Sequence, residues 1–221
     1  MGESEAAIVA SSPRRDRRKA RTRQALIDAA RRIMAERGVT EVSIQQITDA
    51  ADVGFGSFYN YFPDKSQLFE AALDQVFDEY GALVESVTEH MDDPAEVVAA
   101  GIKMTGRLTS VQPEIARIFV RMGISSISRP SGMAARALRD IERGIAAGRF
   151  TVDNPYAALA MVSGGLFGLL HMRAVLDDSA LGEDICSSLA EQVLRGLGVP
   201  AADAARIAHL PVPEAGETLG L

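Results

Sequence analysis

Few residues in this 221-residue chain are placed to make or break a covalent bond. His90, His171 and His209 lie too far apart for a local metal motif, and a single cysteine, Cys186, excludes an internal disulfide and reads as a small buried apolar residue. Neither a glycine-rich phosphate loop nor a nucleophile with a nearby base can be identified, so no catalytic group, metal or cofactor is expected. The remaining chemistry is that of ionic and hydrogen-bonded contact. Between Arg14 and Arg37 there are ten Lys and Arg against Asp16, Asp28 and Glu36, a net of +7 in a chain whose total is −7, which leaves −14 for the rest. A basic arm on an acidic body offers one surface to a polyanion and keeps another away from it. Behind the arm, Gly56, Ser57, Asn60 and Tyr61 set small, hydroxyl and amide groups within one short segment, which suits the wall of a nucleic-acid groove.

These groups need elements to aim them. Strand-like alternation is nearly absent, and glycine and proline fall between long periodic segments, so the class is all-α. Leu26, Ile27, Ala30, Ile33 and Met34 form one apolar stripe, which predicts a helix over about 15–37 closed by Gly38. Ser43 and Gln46 make a capping box, with Val42 placed to staple against Ile47, and open a short helix from Ile44 to Ala51. Asp52-Val53-Gly54 is a tight turn, Phe55–Phe62 a second short helix stopped by Pro63, and Asp64 with Gln67 caps a long helix reaching Val87 or beyond. At about 100° per residue, Phe58 and Phe62 share a side that packs on Ile33, Ile44 and Ile47, while Gly56, Ser57, Asn60 and Tyr61 point largely outward and Phe55 and Tyr59 hold the shoulder. Two short helices joined by a turn and braced by a third make a helix-turn-helix.

At these residues the chain resembles the TetR family of bacterial transcriptional regulators. Val53 to Lys65 looks like the family's recognition helix and its lead into the next helix, and the likeness runs back through Thr22-Arg23, Ala29-Ala30, Gly38, Thr40 and Ser43–Ala51. The resemblance implies that Ser43, Ser57, Tyr61 and Lys65 hold phosphates, Lys65 together with the open N–H groups that follow it. It implies that Gln45, Phe55, Gly56 and Tyr59 face the bases, Gln45 toward adenine and Phe55 toward a thymine methyl. Asn60 is grouped with this DNA-binding set. Gly54 and Phe55 stand where many relatives carry serine and a basic or polar residue, so base readout is thin; DNA shape, and phosphate or minor-groove contacts from Arg14–Arg23, are expected to add to it.

Proline-marked starts at Asp93-Pro94, Gln112-Pro113, Arg129-Pro130 and Asn154-Pro155 predict about five more helices, with a short one near Ala201–His209. The expected division is a tail over 1–13, the helix-turn-helix domain over 14–64, a helical effector-binding and dimerisation domain over 65–200, and a C-terminal tail over 201–221. Met104, Phe119, Met122, Met161, Phe167 and His171 either line an effector pocket or are plain core. The apolar stretch Ala157–Leu170 is shorter than the roughly 20 residues of a membrane span and reads as a buried helix. With 47% apolar and 24% charged residues and no secretory signal in the small, acidic N-terminus, a folded cytoplasmic protein is expected. The resemblance implies a homodimer pairing 154–178 and 181–197 with their counterparts, an inverted-repeat double-stranded DNA operator, and a small-molecule effector, most simply one that releases a repressor. An all-α enzyme or carrier and a sequence-insensitive architectural DNA binder stand as the alternatives.

Overall fold

A computed structural model describes residues 13–37, 42–122, 132–176, 178–182 and 184–212, and among them every regular element is a helix. Helix α1 (Pro13–Arg37) begins two residues earlier than its apolar stripe requires, continuing through the basic arm. Gly38 and Thr40 lie outside the described residues. Helix α2 (Ile44–Ala50) starts as its sequence dictates: the Ser43 hydroxyl accepts from the Gln46 amide at 3.2 Å while the Gln46 side chain accepts from the Ser43 amide at 2.9 Å. Asp52 turns the chain at φ 52°, a left-handed position that Asp tolerates better than most residues. The second short helix, η1 (Phe55–Asn60), is wound as a 3-10 helix, and the long helix α3 (Lys65–Thr88) follows with the Asp64 carboxylate accepting from the Gln67 amide at 2.9 Å.

The body comprises α4 (Pro94–Gly106), α5 (Leu108–Val111), α6 (Pro113–Met122), α7 (Met133–Ala146), α8 (Pro155–Val175), α9 (Asp178–Leu181), α10 (Ile185–Gly196) and α11 (Ala201–Ala208). Three of the four proline-marked starts open helices, with Asp93 capping the Ala95 amide and Asn154 capping those of Tyr156 and Ala157. The fourth, Arg129-Pro130, lies outside the described residues.

Two apolar cores hold these helices. The first joins α1, α2, η1 and α3 to α6, through Leu26, Met34, Ile47, Phe58, Leu68, Val76, Ile115 and Phe119, so the head and body share packing rather than meeting at a hinge. The second gathers α4, α7, α8, α10 and α11 around Ile102, Ile141, Leu159, Leu194 and Ile207. Helix α11 is therefore part of the body, and the chain's packed region extends past the boundary expected at residue 200. Polar contacts fasten it: the Lys103 ammonium, itself buried, donates to the carbonyls of Ala208 at 2.9 Å and of Leu210, and Arg149 bridges Asp93 at 2.9 Å and Asp203 at 2.5 Å. Cys186 is buried, as its sequence position suggests.

Helix α8 departs from expectation. It extends to 21 residues, with a mean hydropathy of 1.4 over its most apolar window, which is long and apolar enough to cross a membrane by length and composition. Nor is it buried all round: Leu159, Val162, Leu169 and Leu170 pack inward, while Tyr156, Met161, Gly168, Met172 and Val175 are exposed on the opposite side. Helix α8 lies at the margin of the bundle, so only its inward stripe meets α4, α6, α7 and α10.

Candidate nucleic-acid interface and interior cavity

The helix-turn-helix is assembled on α1. Phe58 is fully buried and Phe62 nearly so, their ring centroids 6.2 Å apart, and the two pin η1 against Leu26, Met34 and Ile47. Phe55 and Tyr59 are left 46% and 54% exposed, joined edge to face at 6.1 Å, and with Gly56 and Asn60 they form the outward face. Tyr61 and Ser57 are only half exposed, and Tyr61 packs against the core. Tyr61 stands three residues after Phe58, which puts it about 60° from Phe58 at 100° per residue and in line with it at the roughly 120° of a 3-10 helix, so it lies on the buried side and the outward placement expected for it is corrected.

Three of the polar side chains expected at DNA already have partners within the chain. Gln45 is exposed and donates to Asp49 at 2.6 Å; the Lys65 ammonium, half-buried, donates to the Val42 carbonyl at 3.2 Å; Ser43 is held in its capping box. A phosphate or base edge reaching these side chains would exchange a hydrogen bond rather than satisfy an empty one. Around this face α1 contributes Arg23, whose guanidinium stands 5.1 Å from the Phe62 ring centre, and Arg32, which donates to the Ala50 carbonyl at 3.0 Å. Arg31, buried in α1, pairs with Glu79 of α3 at 3.0 Å and locks the two helices of the head together.

Helix α3 carries this interface into the body. Its start bears Lys65; roughly four to six turns further on, its Gly81, Val84, Glu85 and Thr88 wall a cavity of about 240 Å³ completed by α4, α7 and α8. The cavity is apolar through Val97, Val98, Ile102, Val162 and Leu166 and polar at one side, where Arg136, Arg139, Asp140 and Arg143 of α7 and Thr105 of α4 converge. Arg136 pairs with Glu85 at 2.8 Å, and burial holds the Asp140 carboxyl above the usual carboxylate range. Burial likewise raises the Tyr80 hydroxyl, which donates to Thr105 at 3.2 Å beneath the cavity. A smaller void of about 60 Å³ shares Thr105, Met133, Ala137, Val162 and Leu166 with it and is lined by Phe77, Phe119 and Phe167.

Of the residues expected at an effector pocket, Phe119 and Phe167 thus reach the smaller void. Met104 is half-buried on α4 and lines neither space, and Met161 and His171 lie on the exposed side of α8. The Met122 side chain lies outside the described residues. The charged wall of α7 escaped the sequence reading, although one signal was available: Arg136 and Asp140, four residues apart, flank the apolar run Ala137, Ile141 and Gly144.

A short, exposed helix anchored by two aromatics and joined by a tight turn to a capped one defines a helix-turn-helix DNA-binding protein. Residues 26–72 match the family model of the bacterial regulatory proteins, tetR family, and residues 93–210, over half of the chain, match that of the tetracyclin repressor-like C-terminal domain. The chain is a DNA-binding transcriptional regulator and belongs to the TetR family. RolR, in its crystal structure with the ligand resorcinol, is 35% identical and superposes with a TM-score of 0.73 over 91% of this chain and 100% of its own. The transcriptional repressor DhaR of Mycobacterium sp. (strain GP1) is 35% identical over 72 residues, which are 33% of this chain and 36% of DhaR. The transcriptional regulator AcrR of Shigella flexneri is 44% identical over 48 residues, 22% of each chain. The chain thus spans about a third or less of the length of those two curated relatives.

Proposed function

We propose that this protein is a homodimeric, cytoplasmic repressor that binds an inverted-repeat operator and leaves it when a small aromatic alcohol fills the cavity. The observation that carries this reading is the path of α3: one helix starts at Lys65, beside the helix-turn-helix, and walls the cavity with Val84, Glu85 and Thr88. A ligand that favours a displaced α3 moves the head, and by linkage its binding and operator binding oppose each other. In this reading Ser43, Ser57, Tyr61 and Lys65 grip phosphates, and Gln45, Phe55, Gly56, Tyr59 and Asn60 face the groove.

Two features support the remaining parts. The exposed Tyr156, Met161, Met172 and Val175 make an apolar face on α8 that a second copy would cover, with the small Gly164 and Gly168 allowing close approach. The effector class rests on RolR, solved with resorcinol at 35% identity, and on a cavity of suitable chemistry. Its apolar walls accept a ring, while Asp140, Arg136 and Thr105 offer partners for hydroxyl groups.

The test begins with selection of bound sites from random duplex DNA, which should return one inverted repeat. Resorcinol titrated into that complex, followed by fluorescence anisotropy, should weaken binding by roughly 5- to 150-fold, the ordinary range of allosteric coupling. Asp140→Asn should blunt the release while leaving operator affinity intact. Selection without enrichment would favour the architectural binder, and an operator complex insensitive to resorcinol and related phenols would remove the effector assignment.

A further inference from the structure

We infer that the first three turns of α1 are a second DNA-contacting element, a basic helix that lies along the phosphate backbone flanking each half-site. It rests on the reading of the head as operator-binding but concerns residues outside the helix-turn-helix, since the shared family motif begins only at residue 26. From Arg14 to Arg21 every side chain is exposed, and the first fully buried residue of α1 is Leu26, so these turns contribute nothing to the core.

Their charges are arranged against the helix's own interest. Arg14, Arg17, Arg18 and Arg21 recur at three- and four-residue spacing and form one stripe on the side of α1 opposite Leu26, Ile27 and Met34. Like charges at that spacing each destabilise a helix by about 0.2–0.5 kcal/mol, and cations at an N-terminus oppose the helix dipole as well. A polyanion along the stripe reverses the first effect, and a family of phosphates spaced along a strand is the partner whose charge and linear form match it.

Position selects which phosphates. The C-terminal end of α1 is tied to the body, Arg121 of α6 donating to the Glu36 carbonyl at 2.9 Å, so the basic turns lie at the opposite end of the helix. They leave the head at Arg23, which stands over Phe62 just beyond η1. The ten residues from Pro13 to Thr22 rise about 15 Å at 1.5 Å per residue, a reach of roughly four to five base pairs beyond the recognition helix.

The experiment compares the full-length protein with a variant carrying Arg14→Gln, Arg17→Gln, Arg18→Gln and Arg21→Gln, on operator duplexes selected with the unmodified protein. Affinity is measured against salt concentration, on duplexes with long flanks and with flanks trimmed to the half-site edges, and circular dichroism confirms that both proteins are folded. On long flanks, the four substitutions should reduce the salt slope by about 3.6, at 0.9 per phosphate, and weaken binding equally for all flanking sequences. On trimmed duplexes the two proteins should bind alike. An unchanged slope, or a difference that persists without flanks, overturns the inference while leaving the helix-turn-helix reading in place. A loss that depends on flanking base sequence replaces phosphate tracking by groove contact. Failure of the unmodified protein to select any DNA overturns both readings.

Discussion

Phe58→Ala tests whether the recognition helix is held in place by burial rather than by its own helicity. Helix η1 has six residues, no side-chain cap at Gly54, and 3-10 winding, which rarely persists beyond three or four residues unaided. Its attachment is therefore Phe58, fully buried, and Phe62, 4% exposed. Truncating a buried phenylalanine to alanine costs about 3–5 kcal/mol, the transfer term plus the void left beside Leu26 and Met34, out of a typical total of about 5–15. Phe58→Leu, which keeps most of the volume, should lose less than about 1.5 kcal/mol. Urea unfolding followed by far-ultraviolet circular dichroism measures both, and operator binding is measured under conditions where each variant remains folded. The alanine variant should show the large stability loss together with weakened binding to every site, because Tyr59, Asn60 and Gly56 lose a common platform. A loss under about 1 kcal/mol with normal DNA affinity would refute the reasoning, since η1 would then be positioned by something other than this side chain.

Other substitutions report on separate parts of the structure. Ser43→Ala removes the cap from the Gln46 amide and should cost about 1 kcal/mol in urea unfolding, more than the same change at the uncapped, exposed Ser188. Gly106→Ala places a methyl 2.7 Å from the Cys186 sulfur and 3.0 Å from Leu169, so it should destabilise by about 1–3 kcal/mol; adding Cys186→Ala should recover part of that loss, and additive effects would show that the two sites do not meet. His209 donates from Nδ1 to the Ala205 carbonyl at 2.8 Å and faces Asp184 at 2.9 Å, with Glu191 nearby, and these raise it above 6.5; Asp184 is lowered below 3.8 by Ser187 and by His209. The histidine's stabilising contribution is thus complete below pH 6.5 and disappears as pH rises through its folded value, while that of Asp184 is present above pH 3.8 and disappears as pH falls through its folded value. Thermal melts of His209→Gln across the neutral range should show a flatter decline with rising pH than the unmodified protein, and parallel curves would contradict the pairing.

How much could be read beforehand depended on whether a feature was local. The capping box at Ser43, the turn at Asp52 and the prolines at 94, 113 and 155 act through neighbours in sequence, and the helices they start are where the spacing puts them. The outward face of η1 was legible in Gly56 and Asn60, with Phe55 and Tyr59 exposed at its shoulder, whereas Tyr61, three residues after Phe58, falls on the buried side at either 100° or 120° per step. The cavity was the least legible. Methionines and aromatics do not mark it: its polar wall is made by Arg136, Arg139 and Asp140 of α7 facing Glu85 of α3, a juxtaposition created by tertiary packing. Helix α8 fell between these cases: its apolarity was plain, but a stripe covered by its own chain and one left for another look alike in sequence.

The Lys103 clamp on α11 has a consequence for how the protein is born. Its hydrogen bond to Ala208 closes a loop of 105 residues, and the Arg149 bridge to Asp203 depends on the same late segment. Contacts within residues 13–88 can form as soon as that stretch clears the ribosome, but the buried Lys103 ammonium of α4 lacks its carbonyl partners until Ala208 and Leu210 have been synthesised. The helix-turn-helix can thus begin to assemble before α6 completes its core, whereas the second core closes only once α11 has emerged.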